Sequence, residues 1–467
     1  MKLIKKLFSF SIGSVAAVII GVISTPIITR VINPTEYGIA TIFMTFGSLI
    51  SIVSLAGLDQ AFVRFFYESN RISLLKKCLS ISIIIASFLA LLLIIFDQQF
   101  SSNISSGSSY ALLMILYVIA TLIFRYSSLL LRMLQFGYRY SLVQVLQKLF
   151  DLVFVLSIAF FFMPNRYALI LGSILTLLAI SVVTLLFSVS FWKDKNIIIL
   201  EKSYKEILVY SMPLLLATFM SILFQTLDKL ILSAWVSSEE FGVYSAGFKL
   251  IAILNIIQTS FTLFWTPVSL EHYKKYPEDR EFYGQMSKII TVTMVAVSIL
   301  VVMFKDILVL FLGPEYREAS SVIAMLVLMP VMYTMSETTV QGVNFALKSH
   351  VHVIISLITL IVNIIFCFVL IPQLGMKGAA ISVGLSYVVF YLVRTYYGLK
   401  NYYFDNKFKR TLLLLTVLVS WMITVIVTDS QVTTITGGVS LLILLFFLFK
   451  KEIHESSIFL KNLLLKK

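Results

Sequence analysis

Basic side chains inside apolar segments are the residues of this sequence best suited to chemistry. Arg125 lies in the middle of an apolar segment without an acidic residue, and Lys249 lies about a third of the way along another. Lys229 directly follows Asp228, and neighbours on a helix point about 100° apart, so these two cannot simply pair. Arginine binds phosphate through two N–H groups and lysine supplies a point charge. A cavity bearing Arg125, Lys229 and Lys249 is therefore predicted to bind an anion, with phosphate favoured.

Acidic residues in the apolar segments have two interpretations. Asp151, Asp228 and Glu337 could serve as ion-coupling or charge-balancing groups beside an anion cavity, or could form interhelical salt bridges with the basic residues. Lys148 and Asp151 lie one helical turn apart and could neutralise each other. A charge at the bilayer centre costs roughly 2.5–3.5 kcal/mol on insertion scales, so such residues usually face the protein interior or a water-filled cavity. Both interpretations stay open.

The composition of the chain is that of a membrane protein. Its 467 residues are 59% hydrophobic and 13% charged, with a mean hydropathy of +0.97, whereas soluble proteins carry about 25% charged residues. Windows of roughly twenty apolar residues predict about fourteen helices, so the fold class is an all-α polytopic membrane protein. The predicted parts are a six-helix lobe (1–191), a cytoplasmic linker (192–206), a second six-helix lobe (207–400), and two helices with a basic tail (401–467). The Ser-rich link 101–109 is predicted to be a flexible tip.

The distribution of Lys and Arg predicts the orientation of the helices. With the N-terminus inside, the predicted inner links hold most of the 37 basic residues, Arg394 among them. The predicted outer links hold only Arg30, Arg166, Arg317 and Lys377. This asymmetry follows the positive-inside rule and places both termini in the cytoplasm. It also explains the net charge of +14 as topology and contact with anionic lipids, so no nucleic-acid partner is predicted.

Motifs for enzymatic chemistry are missing from the sequence. It contains no Walker A loop, HExxH, GxSxG, CxxC pair or Rossmann glycine fingerprint. Its two cysteines, Cys78 and Cys367, are predicted to be packing residues, and its four histidines lack the spacing of a metal site. We therefore predict no enzyme, cofactor or metal, and energy from an ion gradient, the membrane potential or the substrate's own gradient.

An internal repeat indicates a duplicated architecture. Residues 36–39 (EYGI) recur as residues 240–243 (EFGV), each time between the first and second apolar segments of a half. Two packed halves with charges between them are typical of a transporter.

Several stretches distributed over nearly the whole chain form a characteristic set. They are TRVINPTEYG at 29–38, GLDQAFVRFF at 57–66, DK at 228–229 leading to EFGVYSAGFK at 240–249, LGPEY at 312–316, and LIP through GMKGAA at 370–380. Together they resemble the polysaccharide-biosynthesis flippases, the Wzx-type translocases of O-antigen and capsule repeat units. That family belongs to the multidrug/oligosaccharidyl-lipid/polysaccharide exporter superfamily.

The resemblance implies a V-shaped pair of six-helix bundles that work by alternating access in a bacterial inner membrane. The implied substrate is an undecaprenyl-diphosphate-linked oligosaccharide, moved from the cytoplasmic to the periplasmic leaflet. Membrane lipids and assembly proteins such as the polymerase are the implied partners. The family motifs add Arg30 and Arg64 to the substrate-binding residues Arg125, Lys229 and Lys249, although both could equally be interfacial.

Departures from related families limit the choice of substrate. Lipid II flippases carry arginines within their first helix, whereas this chain has no charge between Lys6 and Arg30. The alternative function is an ion-coupled multidrug exporter that uses Asp228 or Asp151. A membrane glycosyltransferase would need a long periplasmic loop or clustered carboxylates, which the sequence lacks, and a scaffold would leave Arg125 unexplained.

Overall fold

The computed structural model describes residues 2–95, 110–189, 191, 201–348 and 350–465. These residues form eighteen α-helices and one 3-10 turn (Pro314–Tyr316), without strands. The helices are α1 Lys2–Thr29, α2 Pro34–Leu55, α3 Leu58–Phe65, α4 Arg71–Ile95, α5 Tyr110–Met133, α6 Gly137–Phe161, α7 Arg166–Phe187, α8 Tyr204–Trp235, α9 Ser238–Ile251, α10 Leu254–Lys275, α11 Arg280–Met303, α12 Lys305–Val309, α13 Ala319–Leu326, α14 Leu328–Thr339, α15 Gln341–Phe345, α16 His350–Asn401, α17 Phe408–Thr428 and α18 Gln431–Leu465. The predicted tip 101–109 and residues 192–200 of the predicted linker lie outside the described residues.

The helices have the length and composition of membrane spans. Ten helical segments of the described residues are long and apolar enough to cross a bilayer, and the pair α9–α10, bent by 42°, makes an eleventh. Helix α16 is 52 residues long and contains two predicted spans on either side of a break at Gly375 (φ 55°, ψ −132°). The prediction of an all-α polytopic membrane protein is confirmed.

Contacts within the chain divide it into two compact units, Met1–Leu230 and Ile231–Lys467. The division falls inside α8, beyond the predicted linker 192–206. Most of the helix that opens the second half therefore packs with the first unit.

The duplicated stretch begins a helix in the same way in both units. Helix α2 starts after Asn33, whose side chain accepts a hydrogen bond from the backbone N of Glu36 at 2.9 Å, with Pro34 in the first turn. Helix α9 starts after Ser237, whose hydroxyl accepts from the backbone N of Glu240 at 3.2 Å. A side-chain oxygen at this position satisfies an N–H that has no partner within the helix, which is why such residues start helices.

The two repeated glutamates also accept equivalent hydrogen bonds. Glu36 accepts hydrogen bonds from the backbone N of Arg166 at 2.8 Å and from its guanidinium Nε and Nη2 at 2.6 Å each. Glu240 accepts from the backbone N of Met376 at 2.6 Å. Arg166 begins α7, and Met376 follows the break at Gly375, so each glutamate binds the start of the sixth predicted span of its half. This shared contact supports the internal duplication.

Links predicted on one side of the membrane lie together within each unit. In the first unit, the Tyr67 hydroxyl donates to the Met133 carbonyl at 2.5 Å, joining two predicted inner links. In the second unit, the Tyr402 hydroxyl donates to the Pro277 carbonyl at 2.8 Å, joining two more. In each unit, two links that the charge pattern predicts on the same side of the membrane therefore lie together.

Exposed ion pairs stabilise these same link regions. Lys77 Nζ donates to Glu201 Oε2 at 2.9 Å, and this hydrogen bond holds the pKa of Glu201 below its usual range. Lys407 lowers the pKa of Asp405 in the same way, with Nζ 2.7 Å from Oδ2. Both carboxylates stay ionised above their ordinary pKa, so these contacts are lost only as the pH falls through the lowered pKa.

A tight break between α2 and α3 depends on Gly57. Ala56 and Gly57 have φ of 47° and 70°, a region that glycine adopts without strain. A methyl group added at Gly57 would come within 2.5 Å of the Ser211 carbonyl oxygen and 2.9 Å of the Leu215 nitrogen on α8. Two backbone atoms therefore require glycine at this position.

Gly57→Ala is expected to lower the thermal stability of the protein markedly. The left-handed backbone alone costs about 1–3 kcal/mol in a residue with a side chain, and the clash with α8 adds to it. Gly21→Ala is the control, because a methyl group there meets nothing within 4 Å. A helical Gly→Ala change stabilises by roughly 0.5–1 kcal/mol. Melting temperatures in detergent test this, and equal values for the two variants would contradict it.

Candidate functional site

The break after α2 positions an acidic residue inside the first unit. Asp59 lies in the first turn of α3, where the helix dipole favours a carboxylate. Its Oδ1 accepts a hydrogen bond from the backbone N of Gln60 at 2.9 Å. Phe62 of α3 lies in a cluster of buried apolar side chains with Phe66 just after the helix, Cys78 of α4 and Leu122 of α5. The carboxylate is therefore fixed in place and 6% exposed.

Arg125 on α5 binds this carboxylate. Its Nη2 lies 2.6 Å and its Nε 3.2 Å from Asp59 Oδ2. The sequence analysis considered Asp151, Asp228 and Glu337 as partners but not Asp59, which lies in the stretch 57–66 that carries part of the family resemblance. The signal in the sequence that could have identified Asp59 is an acidic residue directly after a glycine-containing break between two helices.

The pair leaves much of the Arg125 side chain open. That side chain is 45% exposed, although its partner is buried. A guanidinium has five N–H donors in a planar fork, and the contact with Asp59 involves one oxygen and one edge of that fork. The remaining donors can bind phosphate oxygens while Asp59 holds the group in position.

Two other arginines are more fully enclosed. The Arg166 fork binds Glu36, and its Nη1 donates to the Tyr110 hydroxyl at 3.2 Å. Arg394 on α16 lies within 2.8 Å of Glu337 Oε1 on α14, with side-chain exposures of 9% and 5%. Arg125 differs from both because Asp59 fixes its position while 45% of its side chain is exposed.

The assignment of Arg394 to an inner link was wrong. The residue lies inside α16, where its Nη1 donates to Ser336 Oγ at 2.8 Å. Its guanidinium also lies over the rings of Tyr333 and Phe390, at 5.0 and 5.1 Å from their centroids. An acid such as Glu337 in an apolar span requires a cation nearby, and this requirement could have drawn attention to Arg394.

The other predicted basic residues lie in varied surroundings. Arg30 is exposed in the turn after α1. Arg64, at the end of α3, is exposed and forms an i, i+4 ion pair with Glu68. Lys229 is half-buried on α8, and Lys249 is exposed in the last turn of α9. Their binding roles stay predictions.

The predicted acidic residues lie within helices. Asp151 on α6 is half-buried and accepts from Ser173 Oγ at 3.4 Å. Asp228 on α8 is buried. Glu337 balances the charge of Arg394, and a role of any of the three in ion coupling stays a prediction.

The described part of the chain contains no candidate metal site. No three His, Cys, Asp or Glu side chains among those residues are arranged to hold an ion. Cys78 and Cys367 are both buried and are not joined in a disulfide.

Comparison with solved structures defines the class of the fold. The chain is similar to the lipid II flippase MurJ in an inward closed conformation, with a TM-score of 0.66 and 15% identity over 95% of this chain and 99% of that chain. An inward-facing MATE multidrug resistance transporter gives 0.57 and 15%, covering 83% and 93%. A MOP-superfamily transporter of Pyrococcus furiosus gives 0.55 and 16%, covering 84% and 94%. The protein is thus a multi-pass membrane protein with the fold of MOP-superfamily transporters.

The sequence places it more closely within that class. Residues 3–272 match the family described as polysaccharide biosynthesis protein, and the chain belongs to this family. It is also 22% identical over 409 residues to an uncharacterized membrane protein of Methanocaldococcus jannaschii, covering 80% of this chain and 79% of the relative. The resemblance to polysaccharide-biosynthesis proteins is confirmed.

Proposed function

We propose that this protein is a flippase for undecaprenyl-diphosphate-linked oligosaccharides. It moves repeat units from the cytoplasmic to the periplasmic leaflet of a bacterial inner membrane by alternating access, for O-antigen or capsule synthesis. Family membership and the transporter fold support the general class. The observation that carries the proposal is the position of Arg125. This residue lies on the spanning helix α5, its side chain is half-exposed, and it binds the buried carboxylate of Asp59.

The chemistry of Arg125 suits a diphosphate. A charge-assisted hydrogen bond to a phosphate oxygen is roughly twice as strong as a neutral one, and low-dielectric surroundings strengthen it further. Because Asp59 already orders the guanidinium, less conformational entropy is lost when a ligand binds. Lys229, Lys249, Arg30 and Arg64 are proposed to supply further positive charge, and Asp151, Asp228 and Glu337 to balance it or to couple an ion.

The proposed orientation places both termini in the cytoplasm. Support comes from the concentration of Lys and Arg on one set of links and from the way links of the same set meet within each unit. Membrane lipids and the polysaccharide polymerase are the proposed partners.

Transport in inverted membrane vesicles tests the function directly. Inverted vesicles containing the protein are given a fluorescent undecaprenyl-diphosphate oligosaccharide, and a membrane-impermeant quencher reports which leaflet holds it. We expect the protein to move this lipid and to leave an undecaprenyl alcohol carrying the same dye unaffected.

The same vesicles test the alternative function, an ion-coupled multidrug exporter. The fold is shared with a MATE multidrug transporter, so cationic dyes are measured in parallel under a proton or sodium gradient. Extrusion of dyes without movement of the lipid would replace the flippase with an ion-coupled drug exporter.

A further inference from the structure

Three links of the second unit surround a polar cavity of about 520 Å³. They are the segment from α12 to α13, the break in α16 and the link from α17 to α18. The charged and amide side chains that line it are Asp306, Arg317, Glu318, Lys377, Asp429 and Gln431. We call this cavity the three-link pocket. The sequence places all three links on the outer side of the membrane, opposite the basic links.

A buried lysine holds one side of the pocket together. The Lys305 side chain is only 3% exposed, and its Nζ lies 3.0 Å from Asp306 Oδ1 and 3.7 Å from Asp429 Oδ1. Both carboxylates belong to the pocket lining and are themselves partly exposed. They can therefore bind Lys305 and still accept hydrogen bonds from a ligand.

The duplicated glutamate holds the part of the pocket that the break in α16 forms. Glu240 binds the backbone N of Met376, next to Lys377, and a methyl group added at Gly375 would collide with its carboxylate. Asp429 has a left-handed backbone with φ of 46°. The pocket walls are thus ordered before a ligand binds, which reduces the entropy lost on binding.

The charges at the pocket are close to balanced. Asp306, Glu318 and Asp429 line it together with Arg317 and Lys377, and Lys305, buried behind the lining, pairs with Asp306 and Asp429. Neither a polyanion such as a diphosphate nor a multivalent cation is favoured by such a lining, because each would meet nearly as many like as opposite charges.

The lining matches a polyhydroxylated ligand instead. Hydroxyl groups both donate and accept hydrogen bonds, so they can use the carboxylates, the cations, Gln431 and Ser320 together. The exposed Leu310 adds an apolar surface for the C–H face of a sugar ring. The cavity volume lies within the range of about 300–1,000 Å³ that is typical of small-molecule sites.

We infer that the three-link pocket binds a saccharide, one or two sugar residues of an uncharged glycan on the outer side of the membrane. The identity of that glycan as part of the transported oligosaccharide rests on the proposed function. The pocket would hold its sugars after the diphosphate has crossed.

Protection of an engineered thiol tests the inference. Ser320→Cys places a thiol in the pocket, and both native cysteines are fully buried. The rate of alkylation by a maleimide is measured on the full chain in detergent with glucose, N-acetylglucosamine, lactose or inorganic phosphate. At about 100 mM sugar, roughly one hundred times a Kd of about 1 mM, we expect alkylation to slow by more than about tenfold.

Matched variants separate specific from general effects. Met163→Cys places an exposed thiol on a link of the first unit, and sugars should not protect it. Adding Glu318→Gln and Asp429→Asn to Ser320→Cys should abolish protection without slowing the reaction in the absence of sugar. Equal protection of both thiols, protection by phosphate alone, or no protection by any sugar would overturn the inference.

The measurement is independent of transport. If sugars protect the thiol but the protein moves no lipid-linked oligosaccharide, the saccharide site is supported and the proposed function is refuted. Transport without protection would refute the pocket alone.

Discussion

Arg125→Gln is expected to reduce transport of the diphosphate-linked lipid by about 10- to 150-fold. Hydrogen bonds to a charged group contribute about 1.5–3 kcal/mol, and each 1.4 kcal/mol corresponds to a factor of ten. The exposed fork of Arg125 can make such bonds because Asp59 uses only one edge of it. Initial rates of lipid movement in inverted vesicles, corrected for the amount of protein, measure the loss.

Stability must be separated from function in this experiment. Removing Arg125 leaves the carboxylate of Asp59 buried without its partner, which costs about 1–3 kcal/mol for an unsatisfied group. The double variant Asp59→Asn/Arg125→Gln removes that charge as well. We expect it to regain most of the lost melting temperature while transport stays low.

Two further variants sharpen the result. Arg125→Lys keeps the charge but loses the planar fork, so its transport should be intermediate. Lys249→Ala tests a second predicted cation, exposed at the end of α9. If the double variant Asp59→Asn/Arg125→Gln transports as well as the wild type, the pair is structural and the diphosphate binds elsewhere.

Arg394→Met is expected to destabilise the second unit strongly. The change leaves Glu337, 4% exposed, as a buried carboxylate without its ion-pair partner. Breaking a buried pair from one side costs about 3–5 kcal/mol. The stacking of the guanidinium on Tyr333 and Phe390 is lost as well. The midpoint of thermal unfolding in detergent measures the effect.

The double variant Glu337→Gln/Arg394→Met should recover much of that loss, because no unpaired charge remains. Lys275→Met is the control, since it breaks only the exposed pair with Glu271 and should leave the midpoint unchanged. An unchanged midpoint in Arg394→Met would contradict the structural role. A stable double variant that transports nothing would assign the pair to ion coupling, one of the two roles that the sequence left open for Glu337.

Local sequence was enough to predict the helices. Runs of about twenty apolar residues satisfy the bilayer wherever they occur, because each helix forms its hydrogen bonds internally. The sidedness that the basic residues indicate stays a prediction. The repeat at residues 36–39 and 240–243 was also visible, and each glutamate binds the start of the sixth span of its half.

The partners of the charges were decided by the tertiary structure. Asp59 and Arg125 are 66 residues apart, and Ser336 and Arg394 are 58 apart. A charge in an apolar helix must find a counter-charge, but nothing in its own segment specifies which helix supplies it. For the same reason the sequence did not predict the three-link pocket. Its lining comes from three links that are predicted on the same side of the membrane but are distant in sequence. Helix positions are a local property, whereas a binding site depends on which helices pack together.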